Sequence, residues 1–210
     1  MIAIVDYGMG NLRSAAKALE RVGARVEVTS SPETIRSARG VVLPGVGAFG
    51  RCMENLRAAA LEEPVREAFA SGRPFLGICI GMQILFEESE EFGPVTGLGL
   101  LPGRVLRFRT DDPALKIPHM GWNTLEVCRP SPLLDGVDDG AHVYFVHSYY
   151  VECTDDDLVV TRTPHSGSFA SAVGRDNVFA TQFHPEKSQT VGLALLANFA
   201  RLAGEPAAGR

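Results

Sequence analysis

The sequence predicts an α/β protein: an open, mostly parallel sheet with helices on both faces, continued by an antiparallel extension. Three observations carry this expectation. In the first half, short β-rich runs alternate with stretches of helical periodicity, the pattern of a parallel sheet covered by helices. In the second half, strand-like runs follow one another through turns rich in Gly, Pro and Asp, which points to some antiparallel pairing. An amphipathic stretch from Ser188 to Leu202 then closes the chain.

Taken in order, the first strand candidate spans 2–6, within Met1-Ile2-Ala3-Ile4-Val5-Asp6. Leu12, Ala15, Ala16, Leu19 and Val22 then recur at i, i+3, i+4, i+7 and i+10, so one helical face is apolar, and Gly23 can end the helix. Further strand candidates lie at 25–29, 40–43 and 74–78, with Ser30 or Ser31 and Pro32 marking another helix start. Segments 103–108, 119–127, 142–152, 157–163 and 168–183 read as strands of the second half. Val191, Leu195, Phe199 and Leu202 share one face of the closing helix, the spacing expected for docking on a sheet. No internal repeat, low-complexity tract or linker divides the chain, so 1–203 is expected to form one domain and 204–210 to fray.

The chain has 210 residues, 45% hydrophobic and 21% charged, an ordinary globular composition, with a formal charge of −5. That charge, without any basic run, argues against nucleic acid as the main partner. The first residues lack the basic and apolar regions of a secretion signal, and no 18-residue apolar stretch offers a membrane span, so a cytoplasmic location is expected. Cys52, Cys79, Cys128 and Cys153 allow three pairings, but their scatter in a reducing compartment does not suggest a disulfide framework. Cys52, Cys128 and Cys153 read as structural or incidental. No Cys-x-x-Cys pair or His-x-x-x-His run supplies a metal site, and no cofactor is expected.

Two motifs carry chemistry. Gly77-Ile78-Cys79-Ile80-Gly81-Met82-Gln83 follows the apolar run Pro74-Phe75-Leu76 and precedes a helix-like segment. Cys79 is therefore expected on a tight strand-to-helix turn, with the flanking glycines permitting the turn. A thiol at a helix start, within reach of an imidazole, favours the nucleophilic thiolate. His184-Pro185-Glu186 ends a second run, Val178 to Phe183. If the extended backbone continues, His184 and Glu186 share a face, so Glu186 can hold one ring nitrogen while the other addresses Cys79. Nucleophile, base and orienting group together suit acyl transfer. The competing reading is a packed core thiol and a satisfied histidine.

Such chemistry develops negative charge on a substrate oxygen, which needs fixed donors. In a nucleophile turn one donor is the N–H of the following residue, here Ile80, and the second comes from the loop after the third strand. That loop reads Pro44-Gly45-Val46-Gly47, whose glycines free the backbone around Val46. Alone, the segment would read equally as an ordinary Gly-rich turn.

Gly-Ile-Cys-Ile-Gly-Met-Gln at 77–83 with Phe-His-Pro-Glu-Lys-Ser at 183–188 resembles the class I glutamine amidotransferases, which hydrolyse glutamine with a Cys-His-Glu triad and pass ammonia to a synthase. Within that class, Asp6 to Leu12, Pro44 to Gly50, Pro118 to Asn123 and Phe145 to Tyr150 are similar to the glutaminase subunits of imidazole glycerol phosphate synthases. The resemblance spans 2 to about 202. It implies a catalytic triad of Cys79, His184 and Glu186, with oxyanion donors at Val46, Gly47 and Ile80. Gln83 and Glu91 match positions that hold the amide and amino ends of bound glutamine, and the backbone of Ser148 and Tyr149 lines the same pocket. Without the motif, Gln83 and Glu91 would read as a solvated helix face. Asn11, Trp122, Tyr144 and Lys187 match positions facing the synthase partner or the ammonia route, although aromatic residues such as Trp122 and Tyr144 also fill cores. Ile80 stands where the family commonly has leucine, which matters little if only its N–H acts.

The family's synthase is a (β/α)₈ cyclase barrel, which needs ~250 residues by itself. The resemblance therefore implies a heterodimer in histidine biosynthesis, with the Val46 loop as a gate when the partner binds its nucleotide. Alternatives are a glutaminase subunit serving anthranilate, pyridoxal phosphate or guanylate synthesis, a non-catalytic binding or regulatory module, or a cysteine hydrolase acting on peptides or γ-glutamyl conjugates.

Overall fold

The structure is a computed structural model that describes residues 1–206. In chain order the elements are β1 (Ile2–Val5), α1 (Leu12–Arg21), β2 (Val26–Thr29), α2 (Pro32–Ser37), β3 (Gly40–Gly45), α3 (Phe49–Ala58), α4 (Glu62–Ala70), β4 (Phe75–Cys79) and α5 (Ile80–Gln83). There follow β5 (Glu88–Ser89), β6 (Val95–Thr96), β7 (Gly103–Arg107), β8 (His119–Thr124), β9 (Glu126–Val127), β10 (His142–His147) and β11 (Tyr149–Cys153). Finally come β12 (Val159–Pro164), β13 (Ser168–Arg175), β14 (Val178–Thr181) and α6 (Gln189–Leu202).

The five strands β2-β1-β3-β4-β14 run parallel in that order. Both faces of such a sheet are covered, so its inner strands need apolar residues throughout rather than alternation. Every residue of β1, β3 and β4 is accordingly buried, whereas the edge strand β2 exposes Glu27. Burial of a side chain such as Ile2 or Ile4 contributes roughly 1.5–3 kcal/mol. The path from β1 to β2 runs one way and the paths to β3 and β4 run back, so right-handed crossovers put α1 on one face and α2 to α4 on the other. Packing of α1 with α6, and of α2 with α4, fits that division. Beyond β14 the sheet continues antiparallel through β13, β11 and β7, with β12 pairing β13 and β9.

The expected helix starts and stops hold. Ser31 caps α2, accepting from the Thr34 N–H at 3.2 Å with Pro32 in the first turn, and Gly23 takes φ 92° after α1. Three expected strands are each two. Segment 119–127 divides into β8, which pairs β10 as a separate ribbon, and β9, which joins β12. Segment 142–152 breaks at Ser148 between β10 and β11. Segment 168–183 turns back at Asp176-Asn177, where Asp176 takes φ 52°, a left-handed conformation that aspartate tolerates. Of the tail expected to fray, 207–210 lies outside the described residues. Glu205 is buried and held to Arg25 Nε at 3.0 Å. Among the described residues no helix is long and apolar enough to cross a membrane.

Candidate active site

Parallel strands end on one side of the sheet, and the loops beyond those ends are where such folds build sites. Here β3 runs on through Pro44-Gly45, expected as loop, and leads into Val46-Gly47, β4 ends at Cys79, and β14 leads to His184. The turn at Cys79 is sharper than glycine freedom at its flanks would require. Cys79 itself carries φ 56° and ψ −114°, while Gly77 and Gly81 have no positive φ. The glycines serve close approach instead: a Cβ on Gly77 would sit 2.8 Å from the Gly81 carbonyl oxygen, and one on Gly81 would overlap the Leu43 carbonyl oxygen. Beyond Cys79, α5 is a single turn, so its dipole adds little at the sulfur.

The expected extended backbone at 184–186 ends at His184, whose φ is −98° and ψ 97°, and Pro185–Lys187 forms a 3₁₀ turn. The turn still brings His184 Nδ1 to 2.9 Å from Glu186 Oε1, with both side chains 2% exposed. His184 is clamped through its backbone, since its N–H donates to the Tyr144 carbonyl at 3.0 Å and its own carbonyl accepts from Ser188 Oγ at 2.7 Å. Nε2 is buried without a conventional partner and lies beside Cys79. Burial disfavours the imidazolium, but Cys79 and Glu186 together, by hydrogen bonding and charge, raise His184 to about 10. The protonated imidazole is the state this arrangement favours for His184.

This shift has a signed consequence. The folded pKa is above the ordinary value of 6.5, so the charged imidazole contributes stability that is complete below about pH 6.5 and is lost as pH rises through about 10. The stability gap between the protein and His184→Asn, from urea unfolding, is expected to narrow between those two pH values. A gap that widens there contradicts the ion pair.

Cys79, His184, Val46, Gly47, Ile80, Gln83, Glu91, Ser148, Tyr149 and Lys187 all line one cavity of about 400 Å³. Gln83 lies on no solvated face: it is fully buried, its Nε2 donating to the Tyr149 carbonyl at 3.0 Å and to Gln182 Oε1 at 2.9 Å. Its Oε1 is buried without a partner. Glu91 accepts from the Phe49 N–H at 2.6 Å, and burial raises its pKa. Gly47 takes φ 97°, the left-handed conformation for which glycine is suited, and the Val46 carbonyl accepts from the Cys52 thiol at 3.6 Å. Trp122 and Tyr144 are cross-strand partners on β8 and β10 with ring centroids 6.1 Å apart, and Lys187 Nζ lies 5.7 Å from the Tyr144 ring. Trp122 is 47% exposed, so this cluster is a surface rather than a core. Asn11 caps the start of α1 without a side-chain hydrogen bond to it, and α1 touches the Pro185–Lys187 turn.

Two features escaped the sequence reading. Gln182 Nε2 lies 3.8 Å from Cys79 Sγ. Its signal was available, because Gln182 and His184 are two apart in an extended run and share a face. His147 also lines the cavity, hydrogen-bonded to the Tyr149 carbonyl at 2.8 Å and to His119 Nδ1 at 3.0 Å. Burial pushes His147 down to about 3 and His119 to about 4, so both are neutral. No spacing rule joins residues 119 and 147; the β8–β10 register does. Among the described residues no group of three or more His, Cys, Asp or Glu side chains is arranged to hold a metal ion, and all four cysteines are free thiols.

The model of the family described as glutamine amidotransferase class-I matches residues 3–202. The imidazole glycerol phosphate synthase subunit HisH of Syntrophotalea carbinolica is 54% identical over 95% of this chain and 98% of its own. The subunit HisH of Salinibacter ruber is 52% identical over 100% and 98%. In fold, a solved glutamine amidotransferase superposes with a TM-score of 0.75 at 23% identity, covering 97% of this chain and 100% of its own. The structure of PurLQS from Thermotoga maritima gives a TM-score of 0.74 at 24% identity, covering 95% and 97%.

Proposed function

The chain belongs to the class I glutamine amidotransferase family, and on that premise we propose that it is the glutaminase subunit of an imidazole glycerol phosphate synthase. The observation that carries the chemistry is the buried pair Cys79 and His184 in the wall of a cavity of about 400 Å³, with the Glu186 carboxylate held to the imidazole. The Cys79 thiolate attacks the carboxamide carbon of glutamine, and the carbonyl oxygen becomes an oxyanion beneath main-chain N–H groups from Val46 or Gly47 and Ile80. His184 gives its proton to the leaving nitrogen, so ammonia departs and a thioester remains. Water, deprotonated by the same imidazole, then attacks the thioester and releases glutamate and the thiol. Glu186 holds the ring throughout.

Substrate recognition follows from the unpaired groups. The buried Gln83 Oε1 accepts from a substrate N–H, and the Glu91 carboxylate meets the α-ammonium. The Tyr149 carbonyl already accepts from Gln83 and His147, so it holds the wall, leaving the neighbouring backbone of Ser148 and Tyr149 to the ligand. Ammonia passes to a (β/α)₈ cyclase subunit seated on the face carrying Asn11, Trp122, Tyr144 and Lys187, in a cytoplasmic heterodimer. The cyclase converts a phosphoribulosyl-formimino aminoimidazole carboxamide ribonucleotide into imidazole glycerol phosphate for histidine synthesis. Incubating the chain 1:1 with a candidate cyclase, glutamine and that nucleotide is expected to yield glutamate and imidazole glycerol phosphate together. Glutamate without the imidazole product would move the assignment to a different acceptor synthase, and neither product would end it.

A further inference from the structure

A class of hydrogen-bond donor at the nucleophile is still unassigned, and Gln182 supplies it. Its side chain is fully buried one residue beyond β14, on the same face as His184, with Nε2 3.8 Å from Cys79 Sγ. An amide aimed at sulfur carries meaning only if nitrogen, not oxygen, faces it, and the surrounding hydrogen bonds decide that point. Their logic starts at the far end of the network. Asn123 Oδ1 accepts from the Thr124 N–H at 2.8 Å, so Asn123 Nδ2 is the atom 3.1 Å from His119 Nε2. That makes His119 Nε2 an acceptor and puts the proton on Nδ1, which donates to His147 Nε2. His147 Nδ1 then carries the proton that the Tyr149 carbonyl accepts. Both rings have to be neutral for this order, as their burial demands.

A backbone carbonyl such as that of Tyr149 can only accept, so the Gln83 group 3.0 Å from it has to be the NH₂. The second hydrogen of that NH₂ points to Gln182, 2.9 Å away, which therefore presents oxygen to Gln83. With its oxygen engaged there, Gln182 has only its NH₂ left to turn toward Cys79. Every alternative flip sets two acceptors or two donors against each other in a buried site, which costs about 1–3 kcal/mol per unsatisfied group.

We propose that Gln182 is a further catalytic residue of this site, donating an N–H to the Cys79 sulfur and holding it as the thiolate. This rests on the glutaminase reading and deepens it. The donor adds to what His184 supplies, and it persists when His184 has given its proton to the leaving ammonia. While the sulfur is acylated Gln182 is the neutral donor that remains beside it, and when the thiolate leaves the hydrolysed acyl group Gln182 donates alongside the His184 imidazolium.

The test is the pH dependence of Cys79 alkylation by iodoacetamide, resolved by peptide mass spectrometry, in the full chain and in Gln182→Met and Gln182→Leu. Iodoacetamide needs no glutamine contacts, and the exposed Cys128 reports any general change in reagent or pH. In either folded variant the Cys79 midpoint is expected to rise by about one pH unit, a roughly tenfold slower alkylation below the midpoint, with Cys128 unchanged. A midpoint within about 0.3 units of the parent overturns the proposal. A second measurement needs no variant: in the unsubstituted protein the Gln182 side-chain amide protons are expected to shift through the same midpoint at which Cys79 titrates. Resonances that stay fixed there overturn it equally. Glutamine turnover by the unsubstituted protein with its cyclase tests the glutaminase reading separately.

Discussion

Cys79→Ala is expected to lower glutamine turnover by about 10⁴-fold or more while leaving the protein folded. Loss of a nucleophile is the largest single-residue effect this site can show, because His184 and Glu186 then have no thiol to serve and no thioester forms. The fold should tolerate it, since Cys79 sits where the backbone rather than the side chain is under load. Its φ of 56° and ψ of −114° are not an ordinary conformation for a residue with a Cβ, which costs roughly 1–3 kcal/mol. Alanine retains that cost and glycine does not. Against this, glycine loses about 0.5–1 kcal/mol through greater freedom when unfolded. Cys79→Gly should therefore be about 1 kcal/mol more stable than Cys79→Ala, and equally inactive. Steady-state glutamate release and urea midpoints check both halves. Turnover above about one hundredth of the parent in Cys79→Ala would remove the thiol from the mechanism, and equal stability of the two variants would remove the strain.

Such strain is the part of the elbow that sequence reasoning misplaced. Gly-x-Cys-x-Gly made the turn legible, but glycine spacing is usually read as a source of positive φ, and here the glycines are small for a different reason. Gly45, Gly77 and Gly81 let the end of β3 and the turn after β4 approach to backbone contact: a Cβ on Gly45 would sit 2.7 Å from the Gly81 nitrogen. That contact joins residues more than thirty positions apart, so no local pattern announces it. The triad was legible because each member sits in a local motif, and the parallel half because alternation of strand and helix is itself local. The Pro185–Lys187 turn was not, because proline after a strand permits either continuation and the choice is made by Ser188, which ties the His184 carbonyl and the Tyr144 N–H together. Likewise Gln83 looked like a helix-face residue, yet α5 stops after one turn and Gln83 ends fully buried beneath Tyr149. Strand division in the second half depends on single residues, Ser148 and Asp176, that a run of β-formers hides.

Gly81→Ala is the second expected large effect, and it arises from geometry rather than chemistry. Its Cβ would overlap the Leu43 carbonyl oxygen and come within 3.3 Å of the Pro44 carbonyl carbon. Both neighbours are backbone of β3, a fully buried central strand, so neither can swing aside as a side-chain tip would. The collision has to be relieved by separating β3 from the elbow, which breaks the register that sets Gly45 opposite Cys79. Overpacking of this kind costs about 1–3 kcal/mol, and more where backbone has to move, so about 3 kcal/mol or complete loss of folded protein is expected. Any folded fraction should hydrolyse glutamine far more slowly, because the displacement opens the gap between the Val46 loop and the sulfur, and a shift of about 1 Å can cost 10²-fold. Gly50→Ala is the control. Gly50 lies in α3 without positive φ, and its Cβ would meet Val95 at an ordinary 3.7 Å, so alanine there should stabilise by up to about 1 kcal/mol. If Gly81→Ala matched Gly50→Ala in urea midpoint and turnover, close approach of the two backbones would not be what shapes the elbow.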